Sequence, residues 1–418
     1  MSAFWPVFDE ANVMDFVRGH GADSPVPVRP ISVETALAAK QKIQAFVDGI
    51  AALSLQDYPC RDAYLAYEQE RLDAFDMILS ATDPQAMARL NDRLFGELSS
   101  MGNAAVLAHL VRHVETTPAP SAATAVYRDI VLAGLADAER TGSVQPQFES
   151  INAYRLQLGP LVHRRYGFVT DLLDDYPGAD TLSSEEVAAV LETAIQRILG
   201  AHAANWHAVV SKGAPNVFIN YHRREVTIPA HRRYTKNHVD TLAVHEIGVH
   251  VLRSVNGDNS LERLAGLGLA GYGPAEEAFG VLLGNATKQT YHQINSLIPF
   301  AVIAYASRPE QPSFRQVYDF AKALIISLSN PDEATLKEKN TQYGRAAFSR
   351  TIRVLRMGDN SLIERSTTKY WRGQLLLAQH FDEHGLTQAT FDEFFLGKYD
   401  CLQPKQLKLI THHTATGK

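Results

Sequence analysis

The chain has 418 residues, of which 45% are hydrophobic and 21% charged, and a formal net charge of −6. That balance describes a folded globular chain long enough for a large core or two domains, and it excludes nonspecific nucleic-acid binding through overall charge, so no nucleic-acid partner is expected. Only Cys60 and Cys401 are present, which excludes a disulfide framework and fits a reducing compartment.

Residues 1–10 lack a basic segment followed by an apolar core, and no later stretch has the length of a membrane span. The expectation is therefore a cytoplasmic protein without membrane attachment. Ser32 can cap a helix whose apolar positions Ala36, Ala39, Ile43, Phe46, Val47 and Ile50 recur at mostly three- and four-residue spacing, which describes one buried face. Similar periodicity runs over 64–79 and 86–111. Residues 116–124 hold two prolines among small polar residues and read as a linker between an N-terminal helical region, 1–115, and a second region, 125–418; the alternative is a long surface loop within one domain. Ser183 and Glu186 form a capping-box pattern at the start of a helix through Leu199. Short β-rich runs at 216–220 and 225–229 read as hairpin or meander strands. The predicted fold class is α+β, predominantly α-helical, with a small β-sheet beside the helix that comes next.

That helix carries His245-Glu246-Ile247-Gly248-Val249-His250, two imidazoles and a carboxylate in an apolar run, the donor types of a metal site with its own base. The histidines stand at i and i+5. On a regular α-helix this spacing separates them by about 140°, too far to share one tetrahedral ion. The spacing therefore predicts a π-turn or another widening near Gly248, where glycine adds backbone freedom. Asn256-Gly257 predicts the helix end, a glycine-spaced connector runs over 264–273, and a second helix opens at Pro274. Glu276 and Glu277 follow. One of them can reach back to complete a His, His, Glu set that leaves a fourth position open; alternatively, both merely complement the helix dipole.

At these residues the chain resembles the microtubule-associated tyrosine carboxypeptidases, or tubulinyl-tyrosine carboxypeptidases, and their bacterial relatives. Residues 245–250 match the family's H-E-I-G-x-H, and 251–257 match its V-L-R-x-x-N-G. Ala275-Glu276-Glu277-Ala278-Phe279-Gly280 stands where the family carries T-E-E-G-L-A, keeping both acids. Arg353-Val354-Leu355-Arg356-Met357-Gly358 mirrors R-V-Y-R-x-G, and Tyr370-Trp371-Arg372-Gly373 mirrors Y-L-x-G; the T-K-D that precedes the latter in the family is not reproduced. The resemblance covers roughly the second half of the chain in detail.

The resemblance implies a gluzincin-like zinc metallopeptidase core with the HExxxH motif. In it Zn2+ would be held by His245, His250 and Glu277, leaving Glu276 to support a ligand or the helix end. Glu246 would be the general base on a metal-activated water. The implied activity is that of a carboxypeptidase removing a C-terminal residue, aromatic as the resemblance implies, from a peptide or protein tail. Arg353 and Arg356 are the candidates for binding the terminal carboxylate, because a guanidinium donates two parallel hydrogen bonds. Tyr370 either donates to the oxyanion or packs its ring. The basic run Arg223, Arg224, Arg232, Arg233 and Lys236 is either an electropositive lip for an acidic tail or solvated loop charge. Two other functions fit the same residues: a noncatalytic helical interaction or regulatory protein with a degenerate peptidase core, and a zinc amidohydrolase acting on a non-peptide substrate. The oligomeric state is not fixed by the sequence.

Overall fold

A computed structural model describes residues 10–19, 33–54, 60–80, 83–176, 180–212, 214, 216–230, 232–260, 263–288, 293–355 and 363–411. The chain divides into two units, each assembled from three separate stretches.

Unit 1 comprises Met1–Leu53, Glu68–Phe148 and His292–Trp371, and among its described residues the regular elements are helices, with one isolated bridge between Leu355 and Ile363. The predicted period over 33–50 is realised in the helix Val33–Ala51, which buries Ala36, Ile43 and Ile50, with Ala36 and Ile43 in one cluster with Leu72, Phe75 and Ile78. Phe46 is 48% exposed, so the buried stripe is narrower than the apolar spacing suggests. The run over 86–111 is not one helix. Gly96 and Gly102 take φ of 86° and 70°, conformations that glycine tolerates and that separate Pro84–Phe95 from Asn103–Thr116. Residues 117–121 form a short connection from Asn103–Thr116 to Ala122–Gly134, both in this unit, and Ser121 caps the second helix through its hydroxyl. Ala122–Gly134, Phe314–Ser329 and Glu333–Val354 pack together. Gly134 faces the Phe320 ring, where a Cβ would lie only 2.6 Å from it, and Phe320 stacks on Tyr305 with centroids 4.2 Å apart.

Unit 2 comprises Ser54–Tyr67, Glu149–Tyr291 and Arg372–Lys418. Strands β1 (Thr181–Ser183), β2 (His207–Ser211), β3 (Phe218–Asn220), β4 (Glu225–Pro229) and β5 (Arg233–Thr235) all lie here. β1 pairs antiparallel with β5. In the other sheet, β4 is central, parallel to β2 and antiparallel to β3. The expected hairpin is therefore β3–β4, turning at 221–224 with Arg224 at φ 56°. The central strand buries Val226, Thr227 and Ile228 in succession, as a strand covered on both faces must. Ser183 and Glu186 form the capping box in full, opening Ser184–Leu199, a helix that buries Val187, Val190, Leu191, Ala194 and Ile195. It packs on β2 and on the helix that carries both histidines.

That histidine helix is one continuous run of Lys236–Leu242, Ala243–Val251 and Leu252–Asp258. It lies along Tyr272–Asn285, with β3 beside its middle segment. The run ends at Asp258, one residue past Asn256-Gly257, so the dipeptide stands in the last turn, where the helix end was expected. Gly257 is there for close packing, since a Cβ would come within 2.3 Å of the Ala265 backbone, and Asn256 Nδ2 donates to the Phe395 carbonyl at 2.6 Å. The second helix begins at Tyr272, two residues before Pro274, behind Gly271 at φ 82°. The predominantly helical α+β class read from the sequence is the observed one. Among the described residues no helix is long and apolar enough to cross a membrane.

Candidate metal centre

Residues Ala243–Val251 form a π-helix, so the histidines at i and i+5 sit about one turn apart, as an i→i+5 hydrogen-bonding pattern requires. Tyr166 supports the widened turn by donating its hydroxyl to the Gly248 carbonyl at 2.9 Å. A Cβ on Gly248 would lie 3.0 Å from Tyr166 Cζ. Gly248 thus contributes by making room for this ring; it is not among the glycines at positive φ, and the backbone freedom expected of it is not used.

The widening brings His245 Nε2 to 3.1 Å from His250 Nε2. From the facing helix, Glu277 Oε2 stands 3.9 Å from the first and 4.0 Å from the second. A circle through three atoms so spaced has a radius of about 2.1 Å, the length of a zinc bond to imidazole nitrogen or carboxylate oxygen. Glu246 also offers an oxygen, within 4.8 Å of donor atoms on both histidines. The cluster therefore fits a small divalent cation, with both glutamates in reach. The side chains of His245, His250 and Glu277 are 15%, 10% and 20% exposed, leaving the donors recessed but open on one side.

Glu276, adjacent in sequence, faces the opposite way. It is 2% exposed, and its Oε1 lies 2.6 Å from His250 Nδ1 while its Oε2 accepts from Arg253 Nη1 at 2.9 Å. Burial alone would raise its pKa, but Lys398, Arg253 and His250 outweigh that and hold it at about 2. An ionised carboxylate can only accept, so Nδ1 of His250 donates to it and Nε2 is left turned toward His245. Neither glutamate lies in the first turn of Tyr272–Asn285, so complementing the helix dipole does not explain them.

Burial, aided by His250, pushes His245 below the usual imidazole range, against the pull of Glu246, Glu277 and a hydrogen bond to the Gly280 backbone. Gly280 leaves space for the ring: a Cβ there would lie 2.8 Å from His245 Nδ1. Burial also pushes Glu246 upward, reinforced by Glu277 and Glu276 and opposed by His245. Tyr221, in the β3–β4 turn, interacts electrostatically with Glu246, Glu276 and Glu277, and burial raises its pKa far enough to keep the phenol protonated.

The structure thus brings His245, Glu246, His250 and Glu277 together in unit 2. Arg353 lies in the last turn of Glu333–Val354 and Tyr370 near the start of Lys369–His384, both half-buried and in unit 1. Both bear on Arg350, whose charged form is disfavoured first by burial, then by Arg353, and favoured by Tyr370. Arg356 lies outside the described residues. In the basic run, Arg223 and Arg224 are exposed on the hairpin turn, whereas Arg233 is tied to β1 through the hydroxyl and carbonyl of Thr181. Sequence reasoning missed Tyr166, Tyr221, Arg253, Tyr272 and Lys398. Only Arg253 gave a signal, as a lone charge among Val249, Val251, Leu252 and Val255; the others arrive through tertiary packing.

Residues 141–417 match the model of the family described as microtubule-associated tyrosine carboxypeptidase. No curated protein matches the chain.

Proposed function

The chain belongs to the microtubule-associated tyrosine carboxypeptidase family, and we propose that it is a zinc-dependent carboxypeptidase that removes the last residue, aromatic by preference, from a peptide or protein tail. The observation that carries this proposal is the near-equal spacing of His245 Nε2, His250 Nε2 and Glu277 Oε2, at 3.1, 3.9 and 4.0 Å, with the spare carboxylate of Glu246 beside them. The ion, when bound, would supply Lewis acidity that activates water and polarises the scissile carbonyl.

The rest of the chemistry falls to side chains. Glu246, raised by burial, takes a proton from the attacking water and returns it to the leaving amine, work suited to a carboxylate whose pKa lies nearer neutrality. Glu276 fixes the tautomer and ring orientation of His250 through Nδ1. Among the described residues β3 is paired only on its β4 side, and it lies next to the histidine helix, so this edge suits an extended peptide. We assign the terminal carboxylate to Arg353 and Arg356, and a hydrogen bond to the oxyanion to Tyr370, on the sequence pattern that these residues share with the family.

The test uses protein purified without chelator and paired peptides that end in tyrosine, with a free or an amidated C-terminus. Release of one tyrosine from the free peptide, abolished by chelation and absent from the amide, is the expected result. Equal cleavage of both peptides, or cleavage within them, would mark an endopeptidase or another amidohydrolase and overturn the proposal.

A further inference from the structure

Lys398 is fully buried, at 0% exposure. Among the described residues its ammonium makes no well-formed hydrogen bond; Glu276 Oε1 lies 3.5 Å away, and the ammonium lies over the rings of Tyr221 at 3.8 Å and Tyr272 at 5.6 Å. Removing an ammonium from water on such terms works against the fold. Glu276 has two cations beside it, Lys398 and also Arg253, which pairs with Oε2 and is itself anchored to the carbonyls of Gly397 and Tyr399.

The two cations divide the carboxylate between them. Arg253 holds Oε2, and Lys398 lies against Oε1, the oxygen facing His250 Nδ1 at 2.6 Å. The backbone of Lys398 is pinned on both sides, its N–H to the Ala265 carbonyl and its carbonyl to the Leu269 N–H, each at 2.8 Å. Tyr221, whose ring centroid lies 3.8 Å from the ammonium, stands on the hairpin turn beside the site. We propose that Lys398 is a positioning residue of the metal centre: it fixes Oε1 of Glu276 toward His250, and so aims His250 Nε2 at the ion. This rests on the zinc reading given above.

Lys398→Met keeps the length and apolar bulk of the side chain but takes away one of the two cations beside Glu276, so the metal-free variant should melt somewhat lower than the wild type. Its zinc affinity, read by competition with a chromophoric chelator, should fall about 10–100-fold, the usual consequence of losing a group that orients a ligand. In a Glu276→Gln background the same substitution should cost nothing further, because the neutral amide no longer draws the ammonium. If Lys398→Met does not fold, Tyr221→Leu on the exposed turn removes the ring beside the ammonium. It should lower zinc affinity in the same direction, again only when Glu276 is present.

Zinc affinity within twofold of wild type in the folded Lys398→Met protein would overturn the inference, as would an equal loss in the Glu276→Gln background. A wild-type protein that binds no zinc would overturn the metal site itself, and the inference with it.

Discussion

Three glutamates within the same site meet different surroundings, and these differences carry the chemistry. Glu246 is raised by burial with two further carboxylates close by. Glu276 is held at about 2 against burial by two cations and an imidazole, which suits an acceptor and not a base. Replacing Glu246 by Gln keeps shape and hydrogen bonding but removes proton-accepting power, so zinc content should be unchanged while turnover falls about 10²–10⁴-fold. Near-wild-type turnover in that variant would move the base elsewhere. Arg253 tests the support beneath the ligands. It is wholly buried and bonds Glu276, Gly397 and Tyr399, so Arg253→Ala should cost about 3–5 kcal/mol in denaturant unfolding, as expected when one partner of a buried pair is removed. A loss below about 1 kcal/mol, typical of exposed pairs, would contradict this.

The histidine helix shows what the sequence can and cannot disclose. Two histidines five residues apart cannot meet on a regular helix, so the spacing alone called for a widened turn, and Ala243–Val251 is a π-helix. What holds the turn open was not legible, because Tyr166 stands 82 positions before Gly248 in the chain and nothing in its local pattern points there. Asn256-Gly257 marked the helix end to within one residue, but its close packing against Ala265 is a tertiary feature that the dipeptide alone does not announce. The β3–β4 hairpin and the Ser183 capping box were legible because their signals are local. Between Glu276 and Glu277 the bare sequence offered no choice; helix rotation sends one to His250 Nδ1 and the other toward the two Nε2 atoms. Tyr166→Phe removes the donor to the Gly248 carbonyl and should cost about 1–3 kcal/mol, the range for a buried polar group left unpaired. Thermal unfolding of the metal-free protein measures it, and an unchanged midpoint would mean that the turn does not depend on Tyr166.

For the molecule as a whole, the family match over 141–417 takes in the complete donor set and also Arg353, Arg356 and Tyr370. If Arg353 and Arg356 bind the substrate carboxylate, then Arg353→Lys or Arg356→Lys should lower activity on a free C-terminus without loss of zinc, because lysine cannot reproduce the bidentate fork. The penalty for amidating the substrate should shrink in the same variants, the non-additivity expected when two changes remove one interaction. Kinetics on the free and amidated peptides with each variant provide the test, and a full amidation penalty in both variants would assign the carboxylate to other groups.

The most direct test of the metal centre is anomalous diffraction at the zinc absorption edge from crystals of the protein grown without chelator. One peak per chain is predicted, within bonding distance, about 2.0–2.3 Å, of His245 Nε2, His250 Nε2 and a carboxylate oxygen of Glu277, with Glu246 unbound. No peak at these residues, or a peak bound by Glu246 in place of Glu277, would contradict the account.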